Sequence, residues 1–366
     1  MRGNKWLFLA LSAVGGFLLS LTGMSIGWML GALMTAAMIS FIFPAVLGEK
    51  GLPKSWMYLG QLILGIELGR KINLEVVSAF QSHGLVIVIV LLASIAFSLL
   101  SGYVLWKFSQ TDMMTSFFGT TPGGLSAMPA IAEETGANTG VVSIIQTMRV
   151  FLVVLIIPVF VSMWAVSPDE SAGAASAVPV FEMNHAVWTA VLVVVGWGGY
   201  HLGKRLKFPA PWLLGSMLAV AVVQSATSTY AGHDMTVFWP HELIVLSQIL
   251  IAASIGSRLR KSMFVGLKRT LVVAFISTAG LIAAMFGCAA LVAKLTGISF
   301  ITAVLAFAPG GIAEMATTAI VLHADSTFVV AVQVLRVLAV VLIMPVFFRL
   351  LHGWEVRKGM HSHASA

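Results

Sequence analysis

The sequence predicts an all-α polytopic membrane protein built as two inverted-topology repeats. Three observations carry that expectation. The 366-residue chain is 59% hydrophobic and only 10% charged. Its apolar stretches come as a set of six and then a second set of six. A Pro-Gly-Gly break falls at the same place in each set, in FFGTTPGGLSAMPA (117–130) and in LAFAPGGIAEMATT (305–318).

Composition sets the class. The mean hydropathy is +0.98, whereas a soluble domain carries about 25% charged residues. The net charge of +7 comes from Lys and Arg in short loops, the pattern of the positive-inside rule. No hydrophilic stretch offers a basic soluble reading element, so nucleic acid is not an expected partner; the lipid bilayer is. The single cysteine, Cys288, lies in an apolar run and excludes a disulfide framework. The first twenty residues have the charge and apolar core of a signal peptide but lead at once into further apolar spans. They read as the first transmembrane helix, retained in the mature protein.

The apolar segments fall near 5–22, 26–47, 55–69, 84–106, 114–132 and 138–165, and again near 186–202, 210–229, 242–257, 269–294, 299–321 and 326–351. This divides the chain into a first membrane repeat (1–166), a periplasmic linker (167–185) and a second membrane repeat (186–366). Adding 187 to a position in the first half makes the duplication visible. Pro122, Gly123 and Gly124 land on Pro309, Gly310 and Gly311; Asn138 lands on Asp325, Gln146 on Gln333 and Arg149 on Arg336. Roughly 17 of 39 pairs match across this stretch, and the polar matches are not a product of composition. Trp28 and Gly31 match Trp212 and Gly215 at an offset of 184.

Charge counting orients the segments. Twelve spans would leave about 9 basic residues inside and about 10 outside, which is no bias. If each Pro-Gly-Gly segment enters and leaves on one face, each half has about five spans. The count then becomes about 16 inside, with Arg70, Lys71 and Lys294 outside. Making 55–69 and 242–257 the non-spanning pieces gives roughly 13 to 6. Five spans per half is odd, so the second half inserts inverted, as in many secondary transporters. Both termini then face the cytoplasm. Whether each broken segment is re-entrant or a broken span stays open.

A Pro-Gly-Gly break frees backbone groups that lipid cannot satisfy, so it must face protein or a water-filled cavity. Polar residues gather around it. Asn138 and Asp325 are good N-caps for the helices that follow. Gln146 and Arg149 lie three apart on one face of the next helix, as do Gln333 and Arg336. Each Arg is about 10 residues into its segment, roughly 15 Å and near the midplane. A charge there costs at least about 2.5–3.5 kcal/mol on insertion scales and needs a partner or a function. One reading makes Arg149 and Arg336 a pseudo-symmetric pair that binds an anionic group. The other makes them structural, bridging carbonyls freed by the breaks or pairing with Glu314 or Glu67. Glu314 matches Ala127, so its role is asymmetric; Glu133 and Glu134 have no acidic counterparts. The substrate-binding candidates are therefore Pro122, Gly123, Gly124, Asn138, Gln146, Arg149, Pro309, Gly310, Gly311, Glu314, Asp325, Gln333 and Arg336. Gly27, Gly31, Gly65 and Gly69 read as packing faces, and Gln61 and Gln248 as cross-helix hydrogen-bonding residues.

Enzyme readings are poor. Of the nine histidines only His361 and His363 are closely spaced, and a tail pair is weak support for a metal. No CxxC, HExxH or P-loop occurs. Neither a metal nor a cofactor is expected, and the coupling ion of a transporter would be a proton or sodium.

TTPGGLSAM with QTMRVFLVVLIIPVF after it, and APGGIAEM with QVLRVLAVVLIMPVF after it, resemble the AbrB duplication family of bacterial inner-membrane proteins. The resemblance covers about 10–360, duplication included. That family carries three labels: ammonia monooxygenase, regulator of gene expression, and transporter. A copper monooxygenase needs clustered histidines, and a direct transcription factor needs a soluble reading element. The resemblance gives the family and leaves the substrate open; the residues favour a secondary transporter of a small anionic organic solute, compatible with a homo-oligomer. An effect on gene expression would then be indirect, through a signalling metabolite or as a membrane sensor. The ten-span topology predicts that a cysteine placed at position 260, in a Cys288-free background, reacts with an impermeant reagent only from the cytoplasmic side. Labelling from the periplasmic side overturns it.

Overall fold

The computed structural model describes residues 4–24, 26–48, 52–71, 74–122, 137–164, 183–208, 210–231, 237–264 and 266–364. Among these the chain is helical and contains no strand. The helices of the first half are α1 (Lys5–Ser20), α2 (Gly27–Ile42), α3 (Lys54–Gly69), α4 (Leu74–Phe108), α5 (Met113–Thr120) and α6 (Thr139–Trp164). Those of the second half are α7 (Met183–Arg205), α8 (Pro211–Ala231), α9 (His241–Gly256), α10 (Lys268–Thr296), α11 (Phe300–Phe307), α12 (Ile312–Val321) and α13 (Ser326–Ala364).

Four stretches are long and apolar enough to cross a bilayer: 84–108, 139–163, 268–296 and 326–344. The first, at 25 residues, spans about 37 Å against a hydrocarbon core of about 30 Å. Leu85, Val88, Ile89 and Leu92 share one face of α4, and each is more than half exposed. Such a stripe is unstable against water and suits lipid. The fold is that of a helical membrane protein.

Each expected apolar segment begins a helix, and the breaks explain where two of them stop. The segment near 299–321 is two helices, α11 and α12, with Pro309, Gly310 and Gly311 between them. In the first half α5 ends at Thr120, before Pro122. Gly123, Gly124, Glu133 and Glu134 lie outside the described residues. So does 165–182, most of the expected linker; the remaining linker positions, 183–185, already belong to α7.

Small residues bring the backbones together. A Cβ on Gly31 would stand 2.2 Å from the Gly15 carbonyl oxygen, and one on Gly215 would stand 2.4 Å from that of Gly199. These two crossings, α1 on α2 and α7 on α8, are the same contact displaced by 184 residues. The halves also meet reciprocally. Gly69 on α3 abuts Met217 and Val220 on α8, and Gly256 on α9 abuts Leu33 and Ala36 on α2. Under the offsets of 187 and 184 each contact maps onto the other. Gly60 packs on Ser247 and Ile251, Met57 accepts a bond from Arg258 beyond the end of α9, and Ile63 and Ile66 cluster with Leu243 and Trp239. The start of α3 thus meets the end of α9, and the two equivalent helices run antiparallel.

The main core lies where both halves contribute: Leu33 and Leu64, Val153 and Ile157, Ile251, and Phe307 and Phe328 are all buried in one cluster. A second cluster joins Phe117 and Phe118 of α5 to Met344 and Phe348 of α13, with Phe118 stacked on Phe348 at 3.8 Å. Because Gly69 and Gly256 meet backbone, not flexible side-chain ends, Gly69→Leu and Gly256→Leu should each destabilise the protein by about 1–3 kcal/mol or more. The readout is a lowered melting temperature of the detergent-solubilised protein, with Gly84→Leu, which has open space, left near wild type.

Candidate functional site

The same set of hydrogen bonds frames each break. Asp112 caps α5 by accepting from the Thr115 amide (2.7 Å), and Ser299 caps α11 by accepting from the Thr302 amide (3.2 Å). The hydroxyl oxygen of Thr115 then accepts from the Asn138 amide (2.9 Å), and that of Thr302 from the Asp325 amide (3.2 Å). Asn138 Oδ1 accepts from the Val141 amide (3.1 Å) and Asp325 Oδ1 from the Phe328 amide (2.9 Å). Asn138 and Asp325 are the N-caps their spacing predicts, and those side-chain oxygens are spent on capping. The two threonines were absent from the sequence reading, although Thr115 and Thr302 match at the 187-residue offset.

These clamps place α6 and α13 beside the helices that stop short. Gln146 Nε2 donates to the Phe118 carbonyl (2.9 Å), and Gln333 Nε2 donates to the carbonyls of Leu305 (2.8 Å) and Ala308 (3.1 Å). One turn on, Arg149 Nη1 donates to the Thr120 carbonyl (2.5 Å). Arg336 bonds the Ala308 carbonyl through Nη1, and its Nη2 donates to Gly310 O (2.8 Å) and Gln333 Oε1 (2.6 Å). A helix that stops inside the membrane leaves its last carbonyls without partners. The guanidinium, a planar fork of donors, fits two of them at once.

The structure thus places the arginines on the freed carbonyls, the structural role that the sequence left open. Neither arginine makes an ion pair with Glu67 or Glu314 among the described residues. The Glu67 carboxylate, 1% exposed, is taken by Arg70 (2.5 Å) and Lys71 (2.8 Å) on its own helix end. The carbonyl bonds do not use every polar atom. Arg149 Nε, Arg336 Nε, Gln146 Oε1 and Gln248 Oε1 are buried without a hydrogen-bond partner. Arg149 and Arg336 lie close enough for their charges to repel, and Val153, one turn after Arg149, touches Gly310 of the second break. Two cationic groups from equivalent helices therefore share one buried region with orphaned polar atoms.

Glu314 belongs to the same neighbourhood. It is 8% exposed and sits three residues past Gly311, the N-cap of α12. Its carboxylate folds back so closely that a Cβ on Gly311 would lie 1.9 Å from Glu314 Oε2. A side chain at that position would push the Glu314 carboxylate aside. Pro309 and Gly310 form the turn between α11 and α12. Gln61 is buried, and Arg258, which the sequence reading did not single out, lies within electrostatic reach of Glu314. Among the described residues no three metal-ligating side chains converge.

The described helices are those of a helical membrane protein with buried polar groups at its helix breaks. A family model described as "Transition state regulatory protein AbrB" matches residues 28–352. The chain belongs to this AbrB family. It is 55% identical over 354 residues to "Uncharacterized protein YhjN" of Bacillus subtilis strain 168, covering 94% of this chain and 92% of that one. It is 28% identical over 330 residues to "Putative regulator AbrB" of Escherichia coli strain K12, covering 89% and 92%.

Arg336→Ala should leave the Gly310 carbonyl and Gln333 Oε1 without their donors and the Ala308 carbonyl with Gln333 alone, at a cost of at least about 2 kcal/mol. Arg336→Lys should not restore it, since an ammonium cannot span both carbonyls as a fork. Arg149→Ala, which removes one described bond, should cost less. Thermal unfolding of the three purified variants gives the ranking.

Proposed function

We propose that this protein is a secondary transporter of a small anionic organic solute, with its site between the two helix breaks. The observation that carries the reading is the pair of buried guanidiniums, Arg149 and Arg336, each bonded to the backbone at its own helix break. No carboxylate lies within ion-pair distance of either among the described residues. Anchoring carbonyls satisfies part of each fork and leaves the positive charge in place. An anion entering the region offsets that charge and can accept from the orphaned Nε donors.

The architecture supports the reading in a second way. Equivalent helices α3 and α9 run antiparallel, and the contacts of Gly69 and Gly256 exchange between the halves. A two-fold axis perpendicular to the helices generates that arrangement, the relation expected of inverted repeats that rock about a central site. An odd number of spans in each half follows, with both termini cytoplasmic in the inner membrane and 167–185 periplasmic. On this reading the chain is not an enzyme, and neither a cofactor nor nucleic acid takes part. The regulatory name of the Escherichia coli relative fits an indirect effect, in which transport changes the level of a signalling metabolite.

The test is an untargeted metabolite comparison between a deletion strain and an overexpressing strain, followed by uptake of each responding solute into proteoliposomes. The expected outcome is an organic anion whose flux falls at least about ten-fold in Arg149→Ala while the variant remains folded. If no solute responds in either assay, the transport reading fails.

A further inference from the structure

The buried charges outside the arginine pair are distributed unequally between the halves. At the 187-residue offset Lys71 corresponds to Arg258, so each half has a basic residue just past the end of its third helix. Each half also brings one buried glutamate to that base, but from different places. In the first half it is Glu67, whose equivalent is Ser254; in the second it is Glu314, whose equivalent is Ala127. Glu67 is saturated by two ion pairs at 2.5 and 2.8 Å. Glu314 makes no ion pair among the described residues and lies only within electrostatic reach of Arg258.

Two opposed influences act on the Glu314 carboxyl. Burial among Ile312, Ala313 and Met315 disfavours its charge. The amide end of the ten-residue helix α12, together with Arg258, favours it. Five elements pack against α12: α13, α11, α9, α3 and α6. The titratable or charged groups they bring toward the break are Arg336 from α13, Arg258 beyond α9, Tyr58 and Glu67 from α3, and Arg149 from α6; α11 brings none. Of these, Arg258 is the cation whose charge reaches Glu314. A metal cation there would add a second positive charge beside that guanidinium, whereas a proton adds no ion and removes a buried charge.

We propose that Glu314 is the proton-binding residue of the second half, taking up a proton in one state of the break and releasing it in the other. The proposal rests on the transport reading for its role: binding and release of that proton couple solute movement to the proton gradient. Protonation converts the carboxylate to a neutral acid, weakens its hold on the α12 amides and on Arg258, and so changes what holds the Gly311 turn closed. The counterpart position, Ala127, carries no carboxylate, so this site has no equivalent there in the first half.

The direct test needs no substrate. Acid-minus-neutral infrared difference spectra are recorded on purified full-length protein in lipid between about pH 5 and about pH 9. The wild type should show a protonated-carboxyl band that is lost in Glu314→Gln and kept in Glu242→Gln, where the carboxylate is exposed. Glu314→Asp should restore a band at a shifted midpoint, which separates proton binding from a merely structural role. A spectrum unchanged by Glu314→Gln, or no carboxyl band in a folded wild type, overturns the proposal. Proteoliposome uptake of radiolabelled mono- and dicarboxylates supplies the second arm. Glu314→Gln should lose accumulation driven by a pH gradient by at least about ten-fold while keeping solute-for-solute exchange. Wild-type uptake indifferent to the pH gradient overturns coupling and leaves transport standing. A titrating Glu314 in a protein that moves none of these carboxylates overturns the coupling role and counts against the transport reading as well.

Discussion

A helix that ends inside a membrane leaves carbonyls that lipid cannot bond, and much of this fold is arranged around that requirement. In the second half the carbonyls of Leu305, Ala308 and Gly310 are all taken by Gln333 and Arg336, one turn apart on α13. The arrangement ties three helices together: α11 presents the carbonyls, α13 supplies the donors, and α12 restarts after the turn. A buried guanidinium is costly without partners and a free carbonyl is costly without a donor, so each compensates the other. Glutamine reaches the Leu305 carbonyl, arginine the Gly310 carbonyl, and the two share that of Ala308.

The requirement recurs in the first half with one difference. Gln146 bonds Phe118, the counterpart of Leu305, but Arg149 bonds Thr120, one residue short of the counterpart of Ala308. The two halves share the clamp in a shifted register. Their acidic residues differ more, with Glu67 on one side and Glu314 on the other. One carboxylate is saturated and the other makes no ion pair among the described residues.

What holds the halves together is ordinary small-residue packing. Without water there is little hydrophobic drive between helices, so close backbone approach and dispersion must serve. Gly69 on Met217 and Gly256 on Leu33 supply it twice, by the same contact exchanged. The clamps and this interface act at different places: the clamps fix each break within its half, and the interface brings the breaks' arginines toward one another.

Much of this was legible in the sequence, for stated reasons. Membrane class follows from composition, the helix limits from apolar runs and Pro-Gly-Gly, the caps from Asn138 and Asp325, and the duplication from an offset that any polar match reveals. These are local or periodic properties, and a chain carries them whatever its fold. Partner choice is not local. Arg149 and Arg336 could have met a glutamate or a carbonyl by their position alone, and only the packing of α6 against α5 and of α13 against α11 decided for the carbonyls. Nothing in the loop sequence IGSRLR ties Arg258 to Glu314, more than fifty residues on. By itself the sequence determined where helices form and break, since that depends on neighbours along the chain; the tertiary structure decided which groups satisfy those breaks, since that depends on distances between helices that the chain order does not record.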